Sequence, residues 1–266
     1  MNQIDTRVST STISWLALSS ILFVSSVLAQ QAEPLEAEFE MPVPIRSAQQ
    51  IPFKTSAFTF VRVQYSSGSG GRGNRGAWLT DWPEADRIFS SQVELLTGLA
   101  TNPDGLQLSL TDPVLQQYPF IYIVEAGQMA LSDEETMRLR DYLLGGGFLM
   151  VDDFWGGYEW DVFITQFRRA FPDRELVELS ADHEIFRSFY EITELPRAPG
   201  RGGARDGEPR LWGLSDDDGR LMAIVCHNYD FGDAWEHLDD PWYPREISLG
   251  QAIPMGVNIV VYALSH

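Results

Sequence analysis

Acidic, amide and aromatic side chains stand directly after the apolar runs of this chain, and such positions are where chemistry collects. Glu125 follows the run 120–124, Asp152 and Asp153 follow 148–151, and His227, Asn228, Tyr229 and Asp230 follow 221–226. Asp81 and Trp82 lie in the segment after an earlier apolar run, and Trp155 and Tyr158 add rings beside the paired aspartates. Two kinds of chemistry fit these residue types. Carboxylates with an imidazole, Asp152 and Asp153 with His227 or His183, could hold a divalent metal and activate water. Carboxylates and amides flanked by tryptophans could instead bind a neutral polyol or sugar, the acids accepting hydroxyl hydrogen bonds and the rings stacking on C–H faces. The architectural alternative is that Asp152 and Asp153 cap the next helix. His183 reads as a helix-start residue, and His237 is open to either role.

For these residues to meet, the runs that precede them must be neighbouring strands. Residues 58–65 are rich in β-branched and aromatic types and read as a first strand. The Asp81-Trp-Pro-Glu84 segment has the form of a capping box with Pro83 in the first turn, leading a helix whose Ala85, Ile88, Phe89, Val93 and Leu96 share one face. Short strands are expected at 106–110 and 120–124. Ser132-Asp-Glu-Glu135 is a second capping box, opening a helix that stops at the glycines 145–147. Strand 148–151, a helix over 159–170, a strand at 175–179, a helical piece at 184–190 and a strand at 221–225 follow. A final helix spans 248–264, kinked or capped by Pro254. Continuous apolar strands alternating with amphipathic helices specify a doubly wound, mainly parallel α/β sheet with helices on both faces. In such sheets ligands sit beyond the carboxyl ends of the strands, and that rule selects the residues named above.

Two loops carry further possibilities. Residues 66–76 hold Gly68, Gly70, Gly71, Gly73 and Gly76 with Arg72 and Arg75, a composition that suits either an anion-binding turn or a flexible surface loop. No Gly-Lys-Ser/Thr follows, so it is not a P-loop, and the register of a dinucleotide fingerprint is absent. Residues 196–209 are rich in Gly, Pro and Arg and read as a mobile loop.

The 266 residues carry a formal net charge of -19, spread along the chain, with 44% hydrophobic and 12% aromatic residues. That is ample for a core and argues against nucleic acid or anionic membranes as partners. It favours cations, divalent metals or neutral polar ligands. The single cysteine, Cys226, excludes an intrachain disulfide and reads as a buried strand residue. No zinc spacing of the H-E-x-x-H or C-x-x-C kind occurs.

Residues 12–29 form an apolar run diluted by serines, preceded by Arg7 and ended by Val27-Leu28-Ala29, which reads as a signal peptide cleaved after Ala29. An uncleaved membrane anchor is the alternative, and no later segment reads as long and apolar enough to span a membrane. Residues 30–55 read as a flexible linker and 56–266 as one α/β domain.

Four separated runs carry a family resemblance: LSDEETMRLRDYLLGGGFLMVDDF (131–154), DHEIFRSFYEITELP (182–196), RLMAIVCHNYDFGDAWE (220–236) and MGVNIVVYALSH (255–266). Together they resemble the DUF4159 family over about 58–266. The resemblance implies a flavodoxin-like sheet of the class I glutamine amidotransferase-like group. In a working amidotransferase the strand matching 148–151 would lead into a turn bearing a nucleophilic cysteine, but here the turn reads Asp152-Asp153-Phe154-Trp155-Gly156-Gly157. Glutamine hydrolysis through a thioester is therefore not expected, and a G-x-S-x-G serine elbow is absent too. The sequence is read as an extracytoplasmic, periplasmic or secreted domain that binds a small polar ligand or an envelope protein, with a divalent metal as a possible cofactor. The alternative is a metal-assisted hydrolase of a cell-envelope or carbohydrate substrate. Mass spectrometry of the exported protein is expected to find a mature chain beginning at Gln30, and recovery of only the full-length chain in membranes would favour an anchor.

Overall fold

The computed structural model describes residues 41–46, 57–68, 76–199 and 207–266, all within one compact unit, Phe39–His266. The leader expected at 1–29 and most of the glycine-arginine loop lie outside the described residues, as do 200–206 of the second loop. Of the stretch expected to be a linker, only 41–46 is described, and it is tied to the domain. Pro44 bridges Tyr190 in antiparallel fashion, and the Ile45 N–H donates to the Phe189 carbonyl at 2.9 Å.

Seven strands form one sheet in the order β2-β1-β3-β4-β7-β6-β5. β1 (Ala57–Gln64), β2 (Ala100–Ser109), β3 (Phe120–Val124), β4 (Phe148–Phe154) and β7 (Leu221–His227) run parallel. β6 (Arg210–Ser215) and the two-residue β5 (Val177–Glu178) add an antiparallel edge. The parallel part has the 2-1-3-4 progression of doubly wound sheets, with its switch point between β1 and β3. β3 and β4 are buried along their whole length, as strands covered on both faces must be.

Alternation along the strands divides the core in two. Phe148 and Met150 of β4 join one cluster and Leu149 and Val151 the other. On the first face lie α1 (Glu84–Thr97), α4 (Phe231–Glu236) and α6 (Ile253–Ser265), with Phe89 stacked on Trp235 at 4.1 Å between ring centroids. On the second lie α2 (Asp133–Leu144) and α3 (Gly156–Ala170) through Leu139, Leu143, Phe163 and Phe167. α2 has the expected capping box: Ser132 accepts the Glu135 N–H while Glu135 accepts that of Ser132. α1 closes on Gly98 in the left-handed region, whose N–H returns to the Glu94 carbonyl.

Several expectations are corrected. The strand expected at 148–151 continues to Phe154, so Asp152 and Asp153 belong to it rather than to a following turn. The strand expected at 175–179 shrinks to Val177–Glu178 and pairs with β6, for which the sequence gives no expectation: an antiparallel strand next to the edge, with one face half covered, lacks the continuous apolar run that marks the central strands. The piece at 184–190 is a single 3-10 turn, Glu184–Arg187. The helical run Arg245–Ser265, comprising the turn α5 (Arg245–Ile247), a π stretch and α6, is long and apolar enough to cross a membrane, against expectation. Its apolar window is 78% buried within the domain, where it forms the floor of the first core face. Pro254 sits where the π stretch Ser248–Ala252 gives way to the first turn of α6.

Arg62 of β1 is fully buried, held two-pronged by Asp86 of α1, with its Nε 3.1 Å from both carboxylate oxygens. Its Nη1 donates to the carbonyls of Trp78 and Thr80, fixing the β1–α1 connection. Burial opposes the charge on Arg62, but the field and hydrogen bonds of Asp86 outweigh it and raise the guanidinium's pKa. Burial draws Asp86 toward the neutral acid, against the pull of Arg62. A carboxyl gripped on both oxygens by a group that never deprotonates near neutrality stays ionised. Asp86→Asn is expected to cost about 3–5 kcal/mol in denaturant unfolding, because it strands a buried guanidinium; a loss below about 1 kcal/mol would mean that the backbone carbonyls suffice for Arg62.

Candidate functional site

The carboxyl edge of the parallel strands is built from residues in an unusual backbone state. Asp81, Glu125, Asp153 and Asn228 have φ of 60°, 54°, 51° and 61°, and among the described residues they are the non-glycine residues with positive φ. Each lies at or just beyond the end of β1's connection, β3, β4 or β7. L-residues enter this region at a cost, Asp and Asn most readily, and such outliers cluster where surrounding structure imposes them. At Glu125, Asp153 and Asn228 the ladder imposes it: the N–H of Glu125 reaches the Asp152 carbonyl, that of Asp153 the Tyr229 carbonyl, and that of Asn228 the Phe154 carbonyl. The bends at Asp81, Glu125 and Asp153 bring their carboxyls within one another's fields.

Asp152 is the innermost of these, wholly buried and in step with Phe148 and Met150 on the first face. Its Oδ2 accepts from the Tyr122 hydroxyl at 2.9 Å and from the backbone N–H groups of Phe231 and Gly232 at 2.8 and 3.1 Å. It therefore caps α4, a helix remote in sequence, instead of the helix that follows it. Asp230 takes the Asp233 N–H of the same helix at 2.8 Å. Gly232 is required by the closeness of this packing, since a Cβ there would run into Asp81 Oδ2.

The expected capping box at 81–84 does not form. The N-terminal position of α1 is Pro83, and Asp81 offers only its backbone carbonyl, to the Ala85 N–H. The left-handed turn at Asp81 swings its carboxylate toward α4 instead. One oxygen each of Asp81, Asp230 and Asp233 lies within 4.8 Å of the others. Asp81 Oδ2 and Asp152 Oδ1 are buried with no hydrogen-bond partner.

These carboxyls hold their protons tightly. Burial, then the fields of Glu236 and Asp233, pushes Asp81 up to about 8. Burial raises Asp152 to about 6 although Tyr122 and the α4 N–H groups pull it down. Asp153 stands well above the usual carboxylate range through burial and then Glu125 and Asp81. Asp230 does so through burial and then Asp153 and Asp81. Arg62 is the cation whose field reaches Asp81, and it is already committed to Asp86.

Of the residues picked from sequence, Asp81, Glu125, Asp152, Asp153 and Asp230 are electrostatically linked, and Trp155 joins them by donating its indole N–H to Asp153 Oδ1 at 2.8 Å. Glu125 also accepts from Gln128 Nε2 at 2.7 Å. The others fall elsewhere. Trp82 is 42% exposed. His227 is set apart from the acids as a candidate metal ligand: its Nε2 sits 2.9 Å from the Gly156 carbonyl, and its ring packs on Phe154 and Trp160. Asn228 is a brace, accepting from the Gly156 N–H and donating to the Glu208 carbonyl. His183 caps its 3-10 turn by accepting the Ile185 N–H, as expected of a helix-start residue. Cys226 is fully buried, and burial then Asp152 push its thiol well up, the state of an inert strand cysteine. Asp233 and Tyr122 were not singled out by sequence. Asp233 stands three residues after Asp230 across a helix start, and that spacing was the available signal; Tyr122 lies inside an apolar strand and gave none.

Residues 59–264 match the family DUF4159, described as a domain of unknown function. No curated protein matches the chain.

The raised carboxyls set a pH dependence. A carboxyl that binds its proton more tightly folded than unfolded stabilises the fold while protonated, and that contribution is lost as pH rises from 3.8 through about 6 for Asp152 and about 8 for Asp81. The rise at Asp152 alone corresponds to about 3 kcal/mol. In EDTA the melting temperature is expected to fall steadily between about pH 5 and pH 8, and Asp81→Asn should flatten the upper half of that fall. A flat or rising profile in the wild type would show that these acids ionise without penalty.

Proposed function

The chain belongs to the DUF4159 family, and we propose that its acidic cleft is a divalent-cation site through which an extracytoplasmic domain holds a small, oxygen-rich ligand. The observation that carries this reading is the convergence of Asp81, Asp230 and Asp233 within 4.8 Å, beside two buried carboxylate oxygens without hydrogen-bond partners. Gathering acids in a place that water hardly enters is unfavourable in the empty protein. A dication removes the repulsion and supplies the missing partner. An all-oxygen donor set suits hard ions such as Ca2+, Mg2+ or Mn2+. An ion held by three protein carboxylates keeps further positions for hydroxyl, carboxylate or phosphoryl oxygens, and Trp155 provides an aromatic wall beside Asp153. The leader-like residues 12–29 support a site of action outside the cytoplasm, where such ions are abundant.

One feature favours hydrolysis as a second reading. Asp152, raised to about 6, has the basicity of a general base working near neutral pH, and a cation beside it would polarise water. Activity of this kind would require Asp152 and the cation together.

Thermal melting of EDTA-treated protein at pH 7.5, with Ca2+, Mg2+ and Mn2+ added in turn, tests the main reading. At least one ion is expected to stabilise the fold, by about 2.7 kcal/mol at a hundredfold excess over its dissociation constant. Asp81→Asn and Asp230→Asn should each remove most of that gain. No stabilisation by any of the three ions would overturn the proposal.

A further inference from the structure

We propose that Asp233, Glu236 and His237 form a second metal site beside the first, one whose imidazole nitrogen selects a transition metal such as Zn2+ over Ca2+ or Mg2+. The inference rests on the cation reading above for the neighbouring ion and adds a site of different donor chemistry. The three residues stand at i, i+3 and i+4 around the end of α4, and this spacing places them on one helical face. Each offers a ligand atom within 4.8 Å of the other two.

The orientation of His237 carries the argument. Its Nδ1 lies 2.7 Å from Asp240 Oδ2, which fixes the ring. Its Nε2 lies 2.8 Å from Glu236 Oε1 and 3.8 Å from Asp233 Oδ1, yet it makes no hydrogen bond. Nε2 is therefore aimed at the same point as the Asp233 and Glu236 carboxylates, and an ion held by all three would give that buried nitrogen its partner. A carboxylate on the far nitrogen of a histidine is also the usual partner of a metal-ligating imidazole. Trp242 and Tyr243 pack against the ring and leave the side chain 13% exposed, so water is a poor substitute for an ion.

The unpartnered Asp152 Oδ1, on a wholly buried side chain, belongs to the neighbouring first site, where its field is felt at Asp81 and Asp230. Asp233 belongs both to the Asp81–Asp230 trio and to the Glu236–His237 trio, so ions in the two sites would share it. Adjacent ions of this kind grip a ligand through one bridging oxyanion, so the class that fits is a molecule bearing a phosphoryl or carboxylate group.

The experiment is isothermal titration of the EDTA-treated full domain with Zn2+, with bound metal counted after gel filtration. Two ions per wild-type chain are expected, and one in each of His237→Gln, Glu236→Gln and Asp81→Asn. Asp240→Asn, which frees the ring without removing a ligand, should weaken one Zn2+ by about 10–100-fold while leaving the count at two near saturation. Unchanged melting in EDTA for His237→Gln and Asp240→Asn verifies that the fold is intact. If the wild type binds one ion, lost in Asp81→Asn and kept in His237→Gln, the second site is refuted and the first stands. If the single ion is lost in His237→Gln and kept in Asp81→Asn, and none of Ca2+, Mg2+ and Mn2+ raises the melting temperature, the nitrogen-bearing site stands and the earlier reading falls. If His237→Gln changes neither count nor affinity, the imidazole is only an ion-pair partner of Glu236 and Asp240, and the inference is overturned.

Discussion

Charge balance at the carboxyl edge of the sheet governs much of this molecule. The strands end in buried acids whose fields act on one another, and the guanidinium whose field reaches Asp81 is consumed by Asp86. Unable to ionise together without cost, the acids are neutralised by whatever the fold can offer. Backbone N–H groups of α4 answer one oxygen of Asp152 and one of Asp230, the Tyr122 hydroxyl adds to the first, and the Trp155 indole answers Asp153. What remains are raised proton affinities and orphaned oxygens, the condition that a bound dication relieves.

The remainder of the architecture keeps those groups from relaxing apart. Asp152 cannot turn away because it stands in the fully buried β4, one residue pair from the Phe148–Met150 row. α4 cannot slide because Trp235 is stacked on Phe89 and its indole N–H donates to the Ala252 carbonyl below. α6, apolar on all sides, is buried on all sides, and Asn258 within it accepts the N–H groups of Phe189 and Tyr190. Burial of each such aliphatic or aromatic side chain contributes about 1.5–3 kcal/mol, enough in aggregate to hold several acids in unfavourable company.

The amidotransferase-like resemblance gives a useful contrast. The carboxyl-terminal part of β4 carries the Asp152 and Asp153 carboxylates, and the cysteine of this chain is sealed inside β7. The polar edge of this doubly wound sheet is thus furnished with acids, and its fold alone does not name a reaction. The family match establishes kinship without supplying a reaction.

Sequence alone determined the elements whose periodicity or capping is local. β3, β4 and β7 were legible as continuous apolar runs, α2 from its Ser132–Glu135 box, and the doubly wound sheet from their alternation. The rule that ligands gather beyond strand ends points to Asp81, Glu125, Asp152, Asp153 and Asp230, and equally to Trp82, His227 and Asn228, which do not join them. Pairing across the chain was not legible. That Asp152 caps α4 from 79 and 80 residues away, that Asp81 turns inward instead of capping α1, and that His227 faces Phe154 and Trp160 rather than the acids all depend on backbone sign and strand register. A one-residue change of register sends a side chain to the opposite face, and a left-handed φ redirects it again. Those choices are made by the packed ladder as a whole, and only the tertiary structure decided them.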